Sequence, residues 1–275
     1  MRHPPTFLIQ PVSQQRLFAL AEVWPFRHLF TVLVWRSLKV RYKQTVIGVG
    51  WALLQAILYA IVFTIIFGRL AAMPTNGIPY PIFVMSGLNV WLFVAQALPA
   101  ASTSIVANSH LVTRIYFPRI LLPLAAIATS MADFLISLGL LFVLMVWYGT
   151  APSIGALFFL PMLLVAVATV LGLSLWLGAL YVPFRDVGHL LPFMVTIWMF
   201  LSPVVYPSNL LPAKYAFLYA LNPIVVVIDT SRWAFAGAAA PDFSMMLISS
   251  LTALVLLTTG YWYFRRSEAT FADVV

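Results

Sequence analysis

Apolar residues run along this chain in long, nearly unbroken blocks, at about 47–68, 82–107, 121–147, 156–181, 190–206 and 243–264. Lipid offers the backbone no hydrogen-bond partners, so a segment crossing roughly 30 Å of hydrocarbon must satisfy its own peptide groups. The polar–apolar alternation of an outer-membrane barrel is missing, so the blocks are predicted to be helices. The fifth is the shortest and carries Pro192 and Pro203. A further apolar stretch, YAFLYALNPIVVVIDTSRWAFAG from Tyr215, is broken by Asn222-Pro223 and holds Asp229 and Arg232 in its second half. A lipid-facing helix would desolvate that acid and base at a cost of several kcal/mol. Two short helices dipping part-way from outside fit better. The pattern predicts an all-α integral membrane protein with six transmembrane helices. External re-entrant helices, within about 203–242, are expected between spans 5 and 6.

Ahead of the first block the periodicity changes. From Pro25, which suits a helix's first turn, Leu29, Phe30, Leu33, Val34 and Ser37 share one side. Arg36, Lys39 and Lys43 fall opposite. Arg27 and Arg41 break the pattern. An amphipathic helix over 24–46 has two readings: an interfacial helix that snorkels cations to anionic lipid, or a docking helix for a cytosolic protein. The chain then divides into an N-terminal segment (1–23), this helix (24–46), a six-span domain (47–264) and a tail (265–275). The start, MRHPPTFLIQPVSQQRLF, has no unbroken apolar core and no small-residue cleavage site, so the first span is expected to direct insertion itself.

Composition agrees with the membrane class: 63% of the 275 residues are hydrophobic and only 8% charged, with a mean hydropathy of +1.01. Formal net charge is +8, but the cations follow topology rather than a nucleic-acid footprint. With six spans, twelve fall on one side: Arg2, Arg16, Arg27, Arg36, Lys39, Arg41, Lys43, Arg114, Arg119, Arg185, Arg265 and Arg266. Arg69, Lys214 and Arg232 fall on the other. The positive-inside rule then makes both termini cytoplasmic.

Missing chemistry narrows the function. No G-x-x-x-x-G-K-[ST] loop can cradle a nucleotide, and His3, His28, His110 and His189 lack metal-ligand spacing. There is no cysteine. Ser174 in GLSLW lacks the second glycine of a nucleophile elbow. Asp133 is the only carboxylate well inside a span, which excludes a dyad and speaks against transport driven by an ion gradient. If a solute moves, its energy comes from another subunit.

Three stretches remain as candidates. NSHLVTRIYFPRILLP (108–123) offers Arg114 and Arg119 around Tyr116-Phe117-Pro118, either an interface hot spot or a membrane-surface elbow with aromatics at headgroup level. Trp51, Gln55, Tyr59, Phe63 and Phe67 recur every four residues. Each step overshoots a full turn by about 40°, giving a slowly winding row. Flat ring faces suit the C–H surface of a sugar, though aromatic packing against neighbouring spans or lipid also explains the row. The third, from Pro203 through Pro207, Asn222 and Pro223 to Asp229 and Arg232, is either an outer gate or a folded loop.

RSLKVRYKQTVIGVGWALLQ (36–55), VTRIYFPRILLP (112–123), ALNPIVVVIDTSRWAFAG (220–237) and FRRSEATFADVV (264–275) together resemble the permease subunits of type-2 ABC transporters. The closest branch exports O-antigen, capsular polysaccharide or teichoic acid. The resemblance implies a homodimer in the bacterial cytoplasmic membrane with a channel for a lipid-linked glycan. Two copies of a separate ATP-binding subunit would drive it and carry the ATP and Mg, leaving this chain without a cofactor or covalent chemistry. Residues 24–44 would be the interface helix and 108–118 the coupling helix. Arg36, Lys39, Arg41, Lys43, Arg114, Tyr116, Phe117, Pro118 and Arg119 would then dock the ATPase. Spans 1 and 5 would line the path, with the Trp51 to Phe67 row touching glycan. Asp133 receives no role from the resemblance. An exporter of a small hydrophobic drug or lipid, or a membrane scaffold anchoring cytosolic proteins, are the alternatives.

Overall fold

A computed structural model describes residues 24–43, 48, 50–75, 77–210 and 212–271. The expected segment 1–23, the end of the amphipathic helix (44–46) and tail residues 272–275 lie outside the described residues. Helices are the only regular elements among those described. After a single turn at Trp24–Phe26 comes α1, Arg27–Lys43. α2, Gly50–Phe63, runs on into a wide π-helical turn, Thr64–Leu70. α3 is Tyr80–Ser102, followed by two single-turn helices, α4 (Ser104–Ala107) and α5 (Ser109–Val112). α6 is Leu121–Tyr148, α7 Gly155–Tyr181 and α8 Asp186–Phe200. α9 (Ala216–Ala220) and α10 (Pro223–Ala236) precede α11, Phe243–Ser267.

Among the described residues, five helical stretches are long and apolar enough to cross a membrane: Gly50–Leu70, α3, α6, α7 and Phe243–Thr270. The expected fifth span is different. α8 starts ahead of residue 190 and stops at Phe200, so its 15 residues cover only about 22 Å. Asp186 in the first turn faces the positive end of the helix dipole and favours the early start. Beyond Phe200 the chain turns through 201–206 toward Pro203 and Pro207, where proline supplies no N–H to a continuing ladder.

α3 is the hub, buried from Ile82 to Val94 and packed by α2, α6, α7, α8 and α10. α7 and α11 cross at close range. A Cβ on Gly260 would lie 2.2 Å from the Gly172 carbonyl oxygen, and one on Gly172 2.5 Å from the Leu256 backbone. Trp176 stacks on Tyr263 beside the crossing, with ring centres 4.4 Å apart. Lipid tails are as apolar as leucine, so close backbone approach through small residues is what holds such helices together. α2 is the opposite case, with Ala56 its one buried residue.

The bundle has two ends. At one, α1, the 103–120 loop, Val182 and the chain after Tyr261 share a separate apolar cluster around Leu33, Ile105, Phe117, Phe264 and Phe271. At the other lies the chain beyond α8, where Val205 accepts a hydrogen bond from the Tyr80 hydroxyl at 2.8 Å. α8 therefore runs from end to end despite its length. The predicted break at Asn222-Pro223 is present: the Asn222 side chain accepts from the Ile224 N–H at 3.3 Å and caps α10. Gly237, at φ +74°, closes its far end in the left-handed region. α10 is buried against α3, α7 and α11.

Candidate functional site

α1 lies on the bundle by the apolar side its spacing predicts, with Leu33 buried and Phe26, Leu29, Phe30 and Val34 packed around it. Arg36, Lys39 and Lys43 are exposed. Trp24 and Trp35 project beside them, with the Arg27 guanidinium and the Lys39 ammonium each 5.4 Å from a ring centre. Arg36 also donates to the Asn108 side chain at 2.5 Å, tying α1 to the 103–120 loop.

Arg41 is out of phase for a reason that lies in α6. Its guanidinium pairs with the Asp133 carboxylate, which also accepts from the Tyr42 hydroxyl. A carboxylate with a side chain only 9% exposed is costly to bury without such partners. Burial and the Asp133 charge push the Tyr42 hydroxyl's pKa up, so it stays a donor. Beside the pair a narrow cleft, roomy enough for about one water molecule, opens between α2, α3 and α6, lined by Ala52, Gln96, Asp133 and Ser137 among others. The misplaced arginine and the lone intramembrane acid were both legible in the sequence. What was not legible is that two residues 92 positions apart answer each other.

The 103–120 loop splits its candidate residues between two jobs. Arg114 is exposed, as are Ile115 at 54% and Tyr116 at 66%. Phe117 is buried, Pro118 and Arg119 half-buried. Arg119 turns inward: its guanidinium donates to the Glu268 backbone carbonyl, and its own N–H donates to Glu268 Oε1 at 3.0 Å. Sequence reasoning did not single out Glu268. A lone acid two residues past Arg265-Arg266 was the available signal.

On α2, Trp51, Gln55 and Tyr59 are exposed, while Phe63 and Phe67 pack partly against the core. Ring centres are 5.8 Å apart for Tyr59–Phe63 and 6.0 Å for Phe63–Phe67, so the row is continuous over those three. α8 likewise exposes Leu190, Phe193, Ile197 and Phe200.

At the opposite end, the predicted gate residues form a clasp. Asn222 donates to Ser202 at 3.0 Å and accepts from the Trp198 indole at 3.0 Å. Arg232, 2% exposed, lies 3.9 Å over the Phe83 ring. It donates to the carbonyls of Val204 at 2.9 Å and Tyr206 at 3.2 Å. Asp229 stands 3.6 Å from it, on the same helix. Pro203 and Pro207 are buried in the segment so held, and Pro223 opens α10.

The family described as ABC-2 type transporter matches residues 28–236, from the start of α1 to the last residue of α10. This chain belongs to it. The ABC-2 permease is 28% identical over 256 residues to a Myxococcus xanthus protein named O-antigen export system permease protein RfbA, covering 92% of this chain and 98% of that one. A Klebsiella pneumoniae protein of the same name is 25% identical over 90% of this chain and 95% of its own length. The Escherichia coli polysialic acid transport protein KpsM is 25% identical over 85% of this chain and 92% of its own. The chain is thus a membrane-embedded transport subunit of the ABC-2 type, with α1, the 103–120 loop and the α10 clasp inside the matched region.

Proposed function

We propose that this chain forms, as a homodimer, the channel of an ATP-driven exporter that carries a lipid-linked polysaccharide outward across the bacterial cytoplasmic membrane. The observation that carries the reading is near full-length similarity to relatives named for O-antigen export and polysialic acid transport. The exposed rings of Trp51 and Tyr59 on α2 support it, because ring faces grip the C–H surface of sugars without fixing one sugar sequence.

In this reading both termini are cytoplasmic and α8 is the fifth of six spans, as its end-to-end course and the cation bias support. The turns at 182–185 and 201–206 make up its missing length. α9 and α10 are the re-entrant helices, and α10 is kept from lipid by α3, α7 and α11. Two copies of an ATP-binding subunit dock at the α1 end, against Arg114, Tyr116 and the Arg36, Lys39 and Lys43 face. ATP and Mg belong to that partner.

The test is reconstitution with the partner ATPase in vesicles loaded with a lipid-linked glycan. ATP-dependent appearance of glycan at the far leaflet is expected. ATP-dependent efflux of small hydrophobic dyes with no glycan movement would overturn the reading in favour of a drug or lipid exporter.

A further inference from the structure

The tail does more than end the last helix. α11 passes without a break into a tight turn, Glu268–Thr270, that folds Phe271 back into the bundle. Phe271 is 1% exposed, its ring centre 5.3 Å from that of Phe264, and the Arg119 guanidinium sits over its ring, 5.9 Å from the centre. Glu268 bridges two segments: Oε1 accepts the Arg119 backbone N–H at 3.0 Å, and Oε2 accepts Arg265 at 2.9 Å.

Arg119 stands two residues before α6, in the turn whose carbonyls accept the helix's first N–H groups. The Glu268 carboxylate therefore lies at the positive end of α6. The Arg119 guanidinium, bonded to the Glu268 carbonyl, lies at the negative end of α11. Each segment supplies the charge that the other helix end favours, and Arg119 follows the exposed Arg114–Tyr116 tip by three residues.

We propose that Glu268, through this reciprocal clasp, is a positioning residue for the 103–120 loop. It fixes the loop's angle to α6 and α11, so that displacement of the tip reaches both helices together. The inference rests on the reading of that tip as the ATPase contact.

The chain has no cysteine, so Thr113→Cys, at an exposed loop position, takes a single spin label. With the permease alone in nanodiscs, Glu268→Ala is expected to speed the label's motion. Glu268→Gln, which keeps an acceptor oxygen for the Arg119 N–H, is expected to speed it less. In the assembled transporter, Glu268→Ala is expected to raise ATP hydrolysed per glycan exported about fivefold, a coupling loss near 1 kcal/mol, with partner co-purification unchanged.

Unaltered label motion in Glu268→Ala overturns the clasp. Faster motion with an unaltered coupling ratio overturns the positioning role. If Glu268→Ala fails to accumulate, Glu268→Gln and Arg119→Lys carry both measurements under the same criteria. Label motion needs neither ATPase nor glycan, so failure of the exporter reading shows separately, as absent transport with the clasp intact.

Discussion

The Arg41–Asp133 pair is open to a quantitative test. Removing one partner of a fully buried ion pair costs about 3–5 kcal/mol, whereas an exposed pair is worth about 0–1. Here the side chains are 37% and 9% exposed, so water screens the cation and hardly reaches the acid. Asp133 keeps the Tyr42 hydroxyl when Arg41 is lost. These points place Arg41→Ala at about 2 kcal/mol, between the limits. At about 2–4 °C per kcal/mol for a chain of this order of size, Tm should fall by about 4–8 °C. The assay is thermal unfolding of the purified permease in detergent, on Arg41→Ala, Asp133→Ala and the double variant. The double variant should be little worse than the poorer single one, a coupling of about 2 kcal/mol, because either change alone already breaks the pair. Losses that add to within about 0.5 kcal/mol would refute the pairing. Tyr42→Phe removes one hydrogen bond to a charged group and should cost about 1.5 kcal/mol.

Gly260→Leu should lower membrane accumulation sharply, by overpacking worth about 3 kcal/mol, since the atoms its Cβ meets include the Gly172 backbone; wild-type yield and Tm would contradict the crossing. Arg114→Glu combined with Tyr116→Ala should change stability by less than about 0.5 kcal/mol, as exposed positions do, yet abolish co-purification of the partner ATPase. Retained ATPase would remove this tip from the docking surface. Tyr59→Ala should slow passage of long glycan with an unchanged Tm, whereas Phe63→Ala should also destabilise because its ring packs on the core; equal Tm values for both would contradict the half-buried position of Phe63.

The long apolar blocks were legible because lipid imposes a length and a composition together. α3, α6, α7 and α11 fall close to where the blocks lie. Where α8 ends was not, because a 15-residue helix completed by turns looks in sequence like a longer span moved toward its prolines. The side of α1 that packs was legible from its spacing, but Arg41 read as surface charge until Asp133 lay opposite. At the 108–123 stretch the sequence could name residues suited to an interface. It could not tell Tyr116, which projects, from Phe117 and Arg119, which hold the loop, because alternation over so short a turn carries no period.

The π-helical turn at Thr64–Leu70 changes how the aromatic row on α2 can vary. Along plain α-helix each four-residue step overshoots a full revolution, so Trp51, Gln55, Tyr59 and Phe63 wind steadily one way. A π turn takes more residues per revolution, so the same step from Phe63 to Phe67 falls short and turns the last ring back. The turn thus acts as a phase corrector for the track. Deleting one residue within 64–70 would remove the extra residue that widens the turn and restore plain α-helix, so the steady one-way winding of the row would run on past Phe63. Point substitutions along the row alter one rung at a time, whereas a change of length there re-aims the whole upper end.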